Sequence, residues 1–289
     1  MKRNHHSSGQ LRERCMHGVF LIAACASIAA VALICVFLFA NSIPALIEIG
    51  PLNFLLGAQW KPGNDLYGIF PMIVGSLYVT AGALILGVPV AILTAIFLAR
   101  FCPTRLYRVL KPAVNLMAGI PSVVYGFFGL VVLVPMVRAL FGGNGNSILT
   151  ASVLLAMMIL PTIIGVAESA LRAVPSSYYE GSLALGASHE RSVFFAVLPA
   201  AKSGVMAGVV LGVGRAVGET MAVIMVAGNQ PRIPDSILKG VRTLTTNIVM
   251  DMGYAVGLHR EALIATGAVL FVFILIINLL FSLLKRREG

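Results

Sequence analysis

Charge is scarce in this chain. Aspartate, glutamate, lysine and arginine make up 11% of 289 residues, less than half of the roughly 25% usual in soluble domains. Acidic residues number 11 against 21 basic ones, while 58% of the chain is hydrophobic and the mean hydropathy is +0.94. So little charge cannot cover a water-facing surface, and the composition implies an all-α polytopic membrane protein. The cysteines are Cys15, Cys25, Cys35 and Cys102; none has the paired spacing of a zinc site or redox motif, which leaves ordinary thiols and no metal site. There is no G-x-x-x-x-G-K-[ST] loop to cradle nucleotide phosphates, so any ATP chemistry must come from a partner. No nucleophile and base constellation stands out either, so the chain is expected to be a non-enzyme without its own cofactor. The net charge of +10 would suggest nucleic acid in a soluble protein. Here the basic residues lie between apolar runs, where they set topology, and no nucleic-acid partner is expected.

Taken in order, residues 1–17 form a polar tail with Lys2, Arg3, Arg12 and Arg14, followed by an apolar run over 18–40. Ile22-Ala23-Ala24-Cys25 has the look of a lipoprotein processing box, but the run continues to Ala40, so an uncleaved anchor is expected. Residues 41–71 hold Pro44, Gly50, Pro51, Pro62 and Gly63 and read as an external loop, with Trp60 suited to the membrane interface. Further spans are expected over 72–99, 114–140, 147–171, 204–229 and 262–284, within a transmembrane domain covering 72–284. Arg100, Arg105, Arg108 and Lys111 after the second span, and Lys285, Arg286 and Arg287 in the tail 285–289, place these ends and both termini in the cytoplasm. Residues 230–261 form a longer external connection holding short helices. Glu168 and Arg172, four apart, are expected to form a structural ion pair.

The fifth span carries Arg215 and Glu219 near its middle, at a cost of roughly 2.5 to 3.5 kcal/mol per unpaired charge. Spaced i,i+4 on one helix, they are expected to share a face and meet. Gly204, Gly208 and Gly212 repeat every four residues before them; the stripe reads equally as a subunit interface or as packing within the chain. Pro121 predicts a break in the third span. The half-helix after it, with Ser122 and Tyr125, could present free N–H groups to an anion, or the break could be a packing kink. Between 175 and 202 a helix from about Ser176 to Leu185 stops at Gly186, and a second stretch follows from Glu190 to Val197. This is either a protruding helix-turn-helix or a pair of helices lying on lipid headgroups.

Glu180, Gly186 six residues on, and Leu198-Pro199 resemble the cytoplasmic coupling motif of ATP-binding-cassette importer permeases. Gly181 and Ser182 replace the usual alanines, and Ala196 the isoleucine. GRAVGETMAV from Gly214, AGIPSVVYGFFGL from Ala118, NDLYG from Asn64 and GLHREAL from Gly257 together resemble the PstC-type permeases of the bacterial phosphate-specific importer. That resemblance implies a type I, MetI-like importer permease with six transmembrane helices in a bacterial or archaeal cytoplasmic (inner) membrane. The implied partners are a PstA-type second permease, two copies of a cytoplasmic ATPase using ATP and Mg, an external phosphate-binding protein, phosphate and membrane lipid. On this reading Glu180, Gly181, Ser182, Gly186, Leu198 and Pro199 couple to the ATPase, and Arg215, Glu219 and Thr220 line the substrate path. Arg215 would attract the anion; Glu219 would hold Arg215 and disfavour oxyanions that, unlike phosphate, carry no proton. The competing expectation is a closed ion pair without cargo contact. Other cargoes are molybdate or sulfate. A secondary transporter with Glu219 as proton carrier would leave the coupling motif unexplained.

Overall fold

The computed structural model describes residues 5–287, with side chains at 13 and 15–280. Lys2 and Arg3 of the basic tail lie outside the described residues, as do the side chains of Arg12, Arg14, Lys285, Arg286 and Arg287. Helix α1 (His5–Ile49) is continuous through the cysteine at 25 and through Pro44. The expected loop beginning at residue 41 is therefore shorter. Ala45, just past the proline, is fully buried among Phe54, Met72 and Leu263, and that packing offsets the hydrogen bond that Pro44 removes. Gly50, at φ 83, turns the chain into the short α2 (Pro51–Leu56). A two-stranded antiparallel hairpin follows, β1 (Trp60–Lys61) and β2 (Leu66–Tyr67), with Trp60 opposite Tyr67.

Helix α3 (Phe70–Ile96) runs on through a wide turn at Phe97–Phe101. Next comes α4 (Thr104–Gly119), then α5 (Ser122–Phe128), joined by a wide turn to α6 (Val134–Phe141). The third span thus starts at Ser122 and not near Val114. Arg105, Arg108 and Lys111 keep α4 out of the apolar layer, and Ile120, held at ψ 125 before Pro121, cannot continue the helix. Helix α7 (Ile148–Ala173) is the centre of the bundle, with Leu154, Leu155, Met158, Ile159, Ile163 and Leu171 fully buried.

Helices α8 (Ser176–Ala184), α9 (His189–Ser192) and α10 (Leu198–Ala200) form a loop that leads into α11 (Lys202–Gly218) and the six-residue α12 (Met221–Val226). After α13 (Leu244–Asp251), α14 (Gly257–Arg287) closes the bundle. Among the described residues five segments are long and apolar enough to cross a membrane; counting the pair His189–Ala200 and Lys202–Gly218, bent by 70°, gives up to six. One end of the bundle carries the hairpin and α13, the other the 175–202 loop.

The glycine stripe of α11 lies on α7 of the same chain. A Cβ at Gly204 would stand 2.4 Å from the Ala170 methyl, and one at Gly212 would stand 2.7 Å from Ile163 Cδ1. Close helix approach, rather than a subunit contact, accounts for these two small residues.

Candidate functional site

The fifth span is broken. Helix α11 ends at Gly218, and Glu219 adopts an extended backbone, φ −69 and ψ 129. Two unpartnered amides at the start of α12 account for this: Glu219 Oε1 accepts from the N–H groups of Thr220 and Ala222, each at 3.2 Å. A carboxylate placed there satisfies donors that a helix start otherwise leaves open. Thr220 donates its hydroxyl to Gly218 O at 3.2 Å. The expected meeting of Arg215 and Glu219 does not occur, because the chain leaves the helix between them and the carboxylate takes the amides instead. Arg215 keeps one hydrogen bond among the described residues, from Nη1 to Thr162 Oγ1 of α7 at a long 3.4 Å. A half-buried guanidinium with one distant neutral partner retains most of its donors for an anion.

The third span starts beside that break. Pro121 and Ile120 are extended, and the Tyr125 hydroxyl reaches back to donate to Met117 O at 3.0 Å, which satisfies a carbonyl at the end of α4. The opening turns of that span, α5, pack directly on α12: a Cβ on Gly126 would stand 3.0 Å from Ala222 Cα. Tyr125 is buried in one apolar cluster with Ala216 and Val217, the two residues after Arg215. Ser122, half-buried, opens α5. Arg215, Thr162 and Tyr125 therefore gather where the broken fifth span adjoins the start of the third. Non-helical backbone at membrane depth is tolerated where it is enclosed by protein or lines a cavity.

At the other end, α8 stops at Gly186, whose φ of 84 suits a residue without Cβ, and Gly186 N donates to Leu183 O at 2.9 Å. Glu180, Gly181 and Leu185 are exposed, Leu185 at 91%, whereas Ser182 and Leu198 are half-buried and Pro199 is exposed. A residue the sequence did not single out fastens this helix-turn-helix. His189 Nδ1 lies 2.8 Å from the Tyr179 hydroxyl, and its ring stands 4.6 Å edge-on from Phe101 at the end of the second span.

Two polar hubs also escaped the sequence reading. Glu168, 2% exposed, pairs with Arg172 at 2.9 Å as expected, and also takes Lys111 Nζ at 2.7 Å and the Tyr107 hydroxyl at 2.7 Å. That carboxylate, by accepting its hydrogen bond, holds the Tyr107 phenol above its ordinary pKa. Tyr107 and Lys111, four apart on α4, were a visible sign of one face seeking an acidic partner. At the hairpin end, buried Asp251 accepts from Trp60 Nε1 and from the Tyr254 hydroxyl, both at 2.8 Å, with Arg242 and His259 at 3.5 Å. Trp60 and Tyr67 pack edge-on at 5.8 Å beside the His259 ring. The NDLYG and GLHREAL segments thus meet through the Tyr67 and His259 rings, beside that carboxylate.

A bundle of membrane-crossing helices with one interrupted span and an under-engaged arginine beside the interruption has the build of a transport subunit. The chain belongs to the family of binding-protein-dependent transport system inner membrane components, whose model matches residues 87–288. It is 39% identical over 280 residues to the probable ABC transporter permease protein YqgH of Bacillus subtilis (strain 168), across 92% of this chain and 91% of that one. It is 36% identical over 265 residues to the phosphate transport system permease protein PstC of Mesorhizobium japonicum, across 84% and 81%. A chain from the inward-facing MetNI methionine ABC transporter superimposes with a TM-score of 0.59 at 21% identity, covering 83% of this chain and 99% of its own length. The type I importer permease fold expected from the sequence is the fold observed.

Proposed function

We propose that this chain is the membrane-spanning permease of an ATP-driven inorganic phosphate importer. It forms the path together with a PstA-type second permease, is driven by two copies of a cytoplasmic ATPase that uses ATP and Mg, and is fed by an external phosphate-binding protein. In this arrangement the 175–202 loop and both termini face the cytoplasm, and the hairpin end faces outward. The observation that carries the reading is the state of Arg215, freed from Glu219 and placed beside the break in the fifth span. The name of the Mesorhizobium relative supports phosphate as the cargo.

Arg215 supplies planar donors to the oxyanion. Glu219 no longer serves to hold it; the carboxylate fixes the break and presents negative charge to the path, which disfavours anions lacking a proton. Ser122, Tyr125 and Thr220 line the same region. Glu180, Gly181, Ser182 and Gly186 shape the ATPase-docking element, and Leu198-Pro199 hand its movement to α11. Uptake by the reconstituted four-component complex tests this. Phosphate should accumulate only with ATP and the loaded binding protein, in preference to sulfate and molybdate. Accumulation driven by a proton gradient without ATP would overturn the importer reading; preferential sulfate or molybdate uptake would overturn the cargo.

A further inference from the structure

The interruption of the fifth span frees backbone groups that must find partners. Glu219 and Thr220 satisfy three of them from within the break: the two amides go to the Glu219 carboxylate, and the Thr220 hydroxyl goes to Gly218 O. The Glu219 carbonyl is held differently. Its partner comes from another element, the Thr245 hydroxyl of α13, which donates to it at 3.2 Å.

Thr245 is buried and belongs to a chain of hydroxyls. Thr246 Oγ1 donates to Thr243 O at 3.1 Å, and the Thr243 and Thr245 oxygens lie 3.0 Å apart. Each hydroxyl has a single proton. Thr243 Oγ1 also lies 3.1 Å from Thr246 Oγ1, to which it donates, so its one proton serves either Thr246 or Thr245. The cluster delivers one proton, that of Thr245, to the break. Its other end is fixed as well: Thr243 caps α13 through a reciprocal bond with Thr246, and Leu244 N donates to Ser76 Oγ of α3 at 3.0 Å.

We propose that Thr245 is a positioning residue for transport: its hydroxyl, packed against the Thr243 cap of a helix that is anchored on α3, holds the Glu219 carbonyl and thereby sets where the fifth span breaks beside Arg215. This rests on the reading of that break as part of the path. Thr245→Val keeps the shape and removes the proton, and Thr245→Ser keeps the proton.

Two readouts on the intact complex in lipid test it. The first is amide hydrogen exchange over residues 216–224, which does not depend on the identity of the cargo. Thr245→Val should raise it about fivefold, as expected for loss of one hydrogen bond, with Thr245→Ser close to wild type. The second is phosphate uptake, in which Thr245→Val should lower turnover about fivefold with the KM for the loaded binding protein unchanged, and Thr245→Ser should restore it. Unchanged exchange in Thr245→Val, or equal damage from Thr245→Ser, overturns the positioning role. Raised exchange with wild-type turnover overturns its part in transport. A cargo other than phosphate would alter the second readout's substrate and leave the first intact.

Discussion

Trp60 donates its indole N–H to Asp251 at 2.8 Å across 191 positions of sequence, which pins the hairpin to α13. The carboxylate is buried and also serves Tyr254 and Arg242. Trp60→Phe, which keeps the ring packing and removes the donor, should destabilise this end by about 1–3 kcal/mol. The thermal midpoint of the purified complex should fall, and Asp251→Ala should lower it further.

At the opposite end Glu168 holds α4 to α7. Glu168→Ala leaves the partly exposed Lys111 and Arg172 without this acceptor, Arg172 keeping the Leu98 carbonyl, and should cost roughly 1–3 kcal/mol. Lys111→Met combined with Glu168→Gln should be less damaging than the sum of the two, with a coupling of about 0.5–3 kcal/mol in chemical unfolding. Glu168→Gln should also let the Tyr107 phenol titrate lower, since the carboxylate's hydrogen bond is the main cause of its raised pKa. An ultraviolet titration of the variant against wild type reads this directly.

The close approach of α11 to α7 predicts a rescue. Gly204→Ala places a methyl against Ala170 and should cost about 1–3 kcal/mol. Adding Ala170→Gly should recover most of the lost midpoint. Gly214→Ala, where a Cβ meets open space, should be neutral or stabilising by up to about 1 kcal/mol. A Gly204→Ala chain as stable as wild type would refute the tight contact.

These contrasts mark where sequence patterning runs out. Apolar runs located the spans to within a few residues at α7 and α3, and Pro121 and Gly186 announced their breaks because each imposes a local backbone geometry. The interruption at Glu219 was hidden by treating positions 204–229 as one regular helix. Its signal was a glycine followed by Glu219 and Thr220 ahead of the apolar stretch from Met221, the chemistry of one helix ending and another being capped. The hubs at Glu168 and Asp251 could not be read locally. Their partners, Lys111 and Trp60, stand 57 and 191 positions away, and only the packing of whole helices brings them together. Pro44 misled in the opposite direction, since burial of its neighbour keeps α1 intact.

The 175–202 loop predicts a coupling defect separable from cargo binding. His189→Ala removes the contact with Tyr179 and the packing on Phe101 and should loosen the loop. ATP hydrolysis stimulated by the loaded binding protein should fall about tenfold or more if the loop transmits docking, as for a buried anchor at an interface. Retained stimulation would refute that route.

The central claim is that Arg215 serves the anion rather than Glu219. Its most direct measurement is phosphate uptake by the complete complex carrying Arg215→Gln, with assembly and basal ATP hydrolysis first shown to be intact. The geometry predicts a loss of about tenfold or more, the effect of removing a charge-assisted contact. Uptake equal to wild type would contradict it.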